Sequence, residues 1–333
     1  MAKITFIGTG AWASGLATIL AENNHKVTMW GINRDEINDI NRGLNRVYFG
    51  NNSFKNARKI EATDDLEKAL ASVHFLVLAV PSSAFDKVIP NIKTYLGDRQ
   101  VDVINVAKGI DAQTQMFYSE IVRKEFGSAL QNYCTILGPS FATEVFAGDL
   151  TVANVVGPKQ NYLKKVARTF NNSHFKLVPH KDENSAQLFA ALKNVYAIGT
   201  GMAGVLFPSK NTEAALLTIA VKEINEIKSV MFPHSSKTFG FEYAAIGDLF
   251  LTCTSLKSRN YSFGVQIAQV GVTSALELNT KTIEGYRSAS IFRELIEGSE
   301  YQHLKLPFLK NIMKVLFENK RPDKLLVFLA NVD

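Results

Sequence analysis

The chain has 333 residues, 46% of them hydrophobic and 20% charged, with a formal net charge of +6. That length and balance allow a full hydrophobic core and two domains, and exclude a disordered or fibrous chain. The positive excess attracts anions, but lysine and arginine are spread along the chain instead of gathered in an arm or tail. This argues against nucleic acid and leaves a membrane surface or small phosphorylated ligands as partners.

The first half alternates strand-like and helix-like segments. KITFIG at 3–8 reads as a short apolar strand, 12–22 as a helix, KVTMWG at 26–31 as a second strand, and DDLEKALA at 64–71 as a helix with an acidic start. HFLVLAVP at 74–81 reads as a continuous apolar strand ending at Pro81. A helix over 85–95, the strand VDVINVA at 101–107, a helix over 113–125 and the strand YCTILG at 133–138 follow. Apolar strands separated by helices imply a parallel sheet covered on both faces. TVANVVG at 151–157 and HFKLV at 174–178 read as a last strand pair of the same domain.

Beyond residue 182 the pattern is helical: 185–204, 212–231, 262–269, 283–296, 308–317 and 324–329. The change of class predicts two domains, 1–182 and 183–333. The run 188–207 approaches membrane-spanning length, but Lys193, Asn194 and three glycines interrupt it, so a core helix is expected and not an integral membrane segment. Cys134 and Cys253 lie in apolar surroundings without metal spacing and read as buried thiols, with no metal site. Strand residues begin directly after the first two positions, so no signal peptide is expected and the location expected is cytoplasmic.

The first strand runs into Gly8-Thr9-Gly10-Ala11-Trp12-Ala13 and then a helix. This is the dinucleotide fingerprint with alanine in place of its third glycine. Gly8 permits the tight turn, Gly10 lets a pyrophosphate approach, and the helix N-terminus offers free N–H groups. The second strand ends at Trp30-Gly31 without the acid that bonds an adenosine ribose, and Arg34 follows. That tilts the expected cofactor toward NADP over NAD, although Arg34 also suits a solvated helix start.

Lys193 is the one ionised side chain between Glu183 and Lys210, and Asp248 the one between Glu242 and Lys257. Lys193 shares a helical face with Ala186, Ala190, Ala197 and Gly201, small residues that let another element approach closely. An isolated ammonium there needs a partner. The two lone charges can pair with each other, as a buried salt bridge of little net stability, or with a ligand. Ser258-Arg259-Asn260 stands where a helix starts; it suits a phosphate or carboxylate, or is a helix cap with a surface arginine. Lys108-Gly109 and Gly138-Pro139-Ser140-Phe141-Ala142 follow strands at their carboxyl ends, where open α/β sheets bind ligands. These sites are expected to converge on an anionic ligand.

Taken in order, KGI, GPSFATE, LKNVYAI, GDLFLTCTS, SRNYSFG and IEGYRSA resemble the NAD(P)-dependent glycerol-3-phosphate dehydrogenases over nearly the whole chain, and GTGAWASGLA and AVPS fit the same family. The resemblance implies an N-terminal Rossmann-like domain, a C-terminal helical domain, a homodimer, and reversible hydride transfer between a nicotinamide cofactor and the dihydroxyacetone phosphate/glycerol 3-phosphate pair, supplying phospholipid synthesis. It makes Lys193 the catalytic lysine and places Asp248, Ser258, Arg259 and Asn260 against substrate. Lys108, Gly138 and Ser140 carry over as substrate contacts, Lys108 also bordering the cofactor. Ala11, Trp12, Ala142, Arg259, Thr282 and Glu284 fall near the cofactor. The chain departs from the family at Ala13, at Ile32, and at Ile219 in LLTIAVKEI, where the family has arginine. A dehydrogenase of another small hydroxy acid, and a non-catalytic dinucleotide sensor on the same fold, are the alternatives.

Overall fold

The computed structural model describes residues 1–111, 114–279 and 283–331. The chain folds into two compact units, one of Met1–Lys108 with Met116–Glu183, the other of Gly109–Gln115 with the chain from Asn184 onward.

The first unit is one eight-stranded sheet: β1 (Lys3–Ile7), β2 (Lys26–Trp30), β3 (Ile60–Thr63), β4 (Phe75–Leu78), β5 (Val101–Asn105), β6 (Leu130–Leu137), β7 (Thr151–Val156) and β8 (Phe175–His180). In space they run β3-β2-β1-β4-β5-β6-β7-β8. Its helices are α1 (Ala11–Glu22), α2 (Arg34–Asn41), α3 (Arg46–Phe49), α4 (Leu66–Leu70), α5 (Phe85–Leu96), α6 (Tyr118–Phe126), α7 (Ala142–Ala147) and α8 (Gln160–Phe170). Alternate strand residues serve opposite cores. Ile4, Phe6, Val27, Met29 and Val77 join Leu16 and Leu20 of α1 and Leu163 of α8 on one face. Ile7, Leu76, Leu78 and Val103 join Phe85 and Ile89 of α5 and Val122 of α6 on the other. Burial on both faces is why these strands are continuously apolar.

The sheet and one of its helices depart from the sequence expectation. The sheet is parallel except where β7 runs antiparallel to β6. The β6–β7 connection carries only α7, which lies against α1, with Ala142 O near Gly15, and so provides no full crossover to restore a parallel strand. The helix expected from 113 begins at Tyr118, because Glu120 reaches back to accept from Phe117 N at 2.9 Å and closes the first turn there. Gln113 itself lies outside the described residues.

The second unit is helical: α9 (Glu183–Leu206), α10 (Lys210–Met231), α11 (Asp248–Cys253), α12 (Arg259–Val270), α13 (Val272–Glu277), α14 (Glu284–Ile296) and α15 (Pro307–Phe317). A single π-turn, Tyr243–Gly247, leads into α11. The helix expected over 324–329 is instead two 3-10 turns, Pro322–Lys324 and Val327–Asn331, the first opened by a proline at its start. Helix α9 is long and apolar enough to cross a membrane, yet 89% of that window is buried within the protein. Glycines on α9 and on the helices packed against it are the reason. A Cβ at Gly201 would lie 2.1 Å from Tyr261 O, one at Gly264 2.1 Å from Ile198 O, and one at Gly285 2.3 Å from Asn194 O. Glycine at these points lets α12 and α14 approach α9 to backbone contact. The thiols of Cys134 and Cys253 are buried and unbonded to each other.

Candidate active site

In the first unit the strand order reverses between β1 and β4, the point where a doubly wound sheet opens a crevice. The glycine turn lies there. Gly8 has φ +127°, and a Cβ on it would stand 2.6 Å from Ala79 O at the end of β4, so only glycine fits. Gly10 precedes α1 in extended backbone, and the nearest atom to a Cβ there is Tyr48 Oη at 4.0 Å, leaving open space above the loop. Within α1 the first backbone bond runs from Ser14 N to Gly10 O at 3.0 Å. The N–H groups of Ala11, Trp12 and Ala13 therefore begin the helix without intrahelical partners, and no acidic side chain stands in that first turn. Trp12 Nε1 is a buried donor with no hydrogen-bond partner among the described residues. Open donors beside a bare glycine fit the pyrophosphate of a dinucleotide. Ala13 is 1% exposed and fills the place of the third glycine within the core.

Gly138 gathers a second group. Its carbonyl accepts from Lys108 Nζ at 3.3 Å and from Ser140 Oγ at 3.2 Å, and its φ of +154° brings it against Ala153. Arg34 opens α2 with an 86% exposed side chain, its Nε 3.9 Å from Asp64 Oδ2, while Asn33 caps the helix. Ile32, also 86% exposed, contributes no charge beside it.

In the second unit Lys193 and Asp248 meet. Lys193 Nζ donates to Asp248 Oδ1 at 2.9 Å and to Thr252 Oγ1 at 2.7 Å, and the two charged residues are 6% and 2% exposed. Thr252, one turn along α11 from Asp248, donates its own hydroxyl hydrogen bond to Asp248 O at 2.6 Å. The lysine is thus held from two sides at a fixed position. Burial pushes the neighbouring Cys253 thiol up to about 12, partly opposed by a Thr200 hydrogen bond and the Lys193 charge, so it stays protonated.

Asn194, the next residue on α9, accepts from Asn260 Nδ2 at 3.0 Å, while Asn260 Oδ1 accepts from Gly285 N at 2.8 Å. This chain of amides ties α9, α12 and α14 together. Ser258 is the N-cap of α12, accepting from Tyr261 N at 3.3 Å. Capping leaves Arg259 at the first helical position with a 60% exposed side chain, 3.6 Å from Glu284. Ile219 lies half-buried on α10. Thr282, expected near the cofactor, lies outside the described residues. Thr252 and Asn194 were not among the sequence candidates. Thr252 sits four residues beyond Asp248 and so shares its helical face, and Asn194 adjoins the lysine in LKN; those spacings were the available signals.

A Rossmann-type sheet with a glycine turn of the dinucleotide-fingerprint pattern, accompanied by a helical unit with a buried, braced lysine, defines the class of nicotinamide-dependent dehydrogenases. Residues 3–162 match the N-terminal model of the NAD-dependent glycerol-3-phosphate dehydrogenases and residues 182–327 the C-terminal model. The chain belongs to this family. It is 39% identical over 317 residues to a glycerol-3-phosphate dehydrogenase [NAD(P)+] of Malacoplasma penetrans, covering 94% of this chain and 92% of that one. It is 34% identical to the enzyme of that name from Mesoplasma florum, covering 97% and 96%. Among solved structures, glycerol-3-phosphate dehydrogenase from Coxiella burnetii matches with a TM-score of 0.85 at 27% identity over 99% of both chains.

Proposed function

We propose that the protein is a glycerol-3-phosphate dehydrogenase that interconverts dihydroxyacetone phosphate and sn-glycerol 3-phosphate with NAD(P)(H), with Lys193 as its general acid and base. Family membership and the names of its relatives support the overall reaction. The observation that carries the chemistry is the buried Lys193 ammonium, anchored on Asp248 and Thr252.

The bound nicotinamide supplies or accepts the hydride. As the ketone is reduced, negative charge grows on its oxygen, and an ammonium held against that oxygen stabilises the charge and donates the proton. Asp248 and Thr252 both accept from the ammonium and so fix where it stands. Arg259, exposed at the start of α12, suits the substrate phosphate, with Ser258 and Asn260 fixing the turn that presents it. Lys108, Gly138 and Ser140 are assigned to substrate, and Gly8, Gly10, Ala11, Trp12, Ala13 and Ala142 to the dinucleotide. In this reading residues 1–182 bind dinucleotide and 183–333 bring substrate and catalysis. The protein acts as a cytoplasmic homodimer and feeds phospholipid synthesis.

The test is to mix purified protein with dihydroxyacetone phosphate and NADH or NADPH and follow loss of the reduced-nicotinamide absorbance. Oxidation that depends on dihydroxyacetone phosphate is the expected result. Nucleotide binding without turnover would favour the dinucleotide sensor, and oxidation only with the keto form of a different small hydroxy acid would favour the related dehydrogenase.

A further inference from the structure

Glu36, in the first turn of α2, turns its carboxylate back onto the glycine loop. Its Oε2 accepts from Thr9 Oγ1, the residue between Gly8 and Gly10, and its Oε1 lies 3.4 Å from Tyr48 Oη. The approach of Thr9 depends on Gly31. A Cβ at that position would stand 2.6 Å from Thr9 Cγ2, so the bare glycine seats the threonine methyl while the hydroxyl faces Glu36. Strand β2 ends without an acid in sequence, yet in space a carboxylate occupies this end of the loop, delivered from 27 residues beyond Thr9.

We infer that Glu36 selects the coenzyme, accepting from the ribose hydroxyls of NAD(H) and repelling the 2′-phosphate of NADP(H). The inference rests on the dehydrogenase reading above. A carboxylate has about four acceptor positions. Thr9 and Tyr48 take two, and the half-buried side chain keeps capacity for a sugar hydroxyl. A phosphate offers no donor at neutral pH and brings like charge.

The surroundings reinforce that sign. Arg34 is the cation of this turn, but its side chain is 86% exposed and its Nε lies 3.9 Å from Asp64. Asp35 and Glu36 both stand in the first turn of α2, so the guanidinium is outnumbered by three carboxylates. A phosphate group placed within ~5 Å of Glu36 is disfavoured roughly ten- to hundredfold relative to a hydroxyl.

The experiment titrates the purified full-length protein with NADH and with NADPH, without substrate, following nicotinamide fluorescence, and repeats this for Glu36→Gln and Arg34→Ala with melting temperatures recorded. The wild-type protein is expected to bind NADH roughly ten- to hundredfold more tightly. Glu36→Gln keeps an acceptor for Thr9, so the loop holds, and it is expected to shrink the preference about tenfold, mostly by tighter NADPH binding. Three results would overturn the inference: tighter NADPH binding by the wild type, an equal loss of both affinities in Glu36→Gln as from a mere loop brace, or a selective loss of NADPH affinity in Arg34→Ala. Binding of neither coenzyme by a folded wild-type protein would instead defeat the dehydrogenase reading itself.

Discussion

Lys193 Nζ stands 2.9 Å from Asp248 Oδ1 with both side chains less than a tenth exposed, so each charge depends on the other. Replacing Lys193 by Met strips a buried carboxylate of its countercharge, which costs about 3–5 kcal/mol. Turnover should fall roughly 10²–10⁴-fold through loss of the acid. The double variant Lys193→Met with Asp248→Asn should recover most of the melting temperature and none of the activity. Recovery of turnover along with stability would show that the lysine serves packing alone.

The two loop glycines should separate folding from binding. Gly8→Ala forces a side chain into φ +127° and against Ala79 O, a cost of about 1–3 kcal/mol for the conformation alone. Gly10→Ala meets nothing nearer than 4.0 Å at an ordinary backbone conformation, so its stability should change by less than about 1 kcal/mol. Its dinucleotide affinity should nonetheless drop at least about tenfold, because the methyl enters the space proposed above for the pyrophosphate. Calorimetric titration beside a thermal melt distinguishes the two; undiminished affinity in Gly10→Ala would remove the loop from the binding site.

Arg259 pairs with Glu284 at 3.6 Å with both side chains more than half exposed, a contact worth little to the fold. Arg259→Ala should therefore melt within about 1 kcal/mol of the parent. KM for dihydroxyacetone phosphate should rise about tenfold or more through loss of a charge-assisted phosphate contact. An unchanged KM in steady-state assays would exclude it as the phosphate anchor.

Glu223, 2% exposed on α10, accepts from Phe308 N and Leu309 N at the start of α15 and from Tyr196 Oη on α9. Burial pushes its carboxyl up to about 7 from 4.5, opposed by those hydrogen bonds. Because the folded state holds the proton more tightly than the unfolded chain, this group's contribution is fully present below pH 4.5 and is lost as pH rises through about 7. The loss amounts to about 3 kcal/mol at most. Glu223→Gln should flatten that part of the pH dependence in urea unfolding, while lowering stability by about 1–3 kcal/mol because one backbone N–H then faces an amide NH₂. A slope identical to the parent's would exclude Glu223 as the titrating group.

Several parts of the site were legible because they are local. The glycine turn follows from the backbone angles demanded within three residues. Lys193 and Asp248 were marked by the absence of other charge around each, and the small face of α9 announced a close helix approach before Gly201, Gly264 and Gly285 were seen to supply it. Other features were hidden. The sequence could not say whether Lys193 met Asp248 or a ligand, and Asn194 looked like an interruption of an apolar run until Asn260 and Gly285 were found bonded in sequence with it.

By itself the sequence determined the strand–helix alternation, the dinucleotide turn and the identity of the isolated charges, since each is a property of neighbouring residues and of the backbone geometry they permit. Only the tertiary structure decided the antiparallel entry of β7, the bracing of Lys193 by Thr252 and the return of Glu36 to Thr9. Those depend on how segments distant along the chain pack to bury apolar surface, which brings together polar groups that no local pattern links.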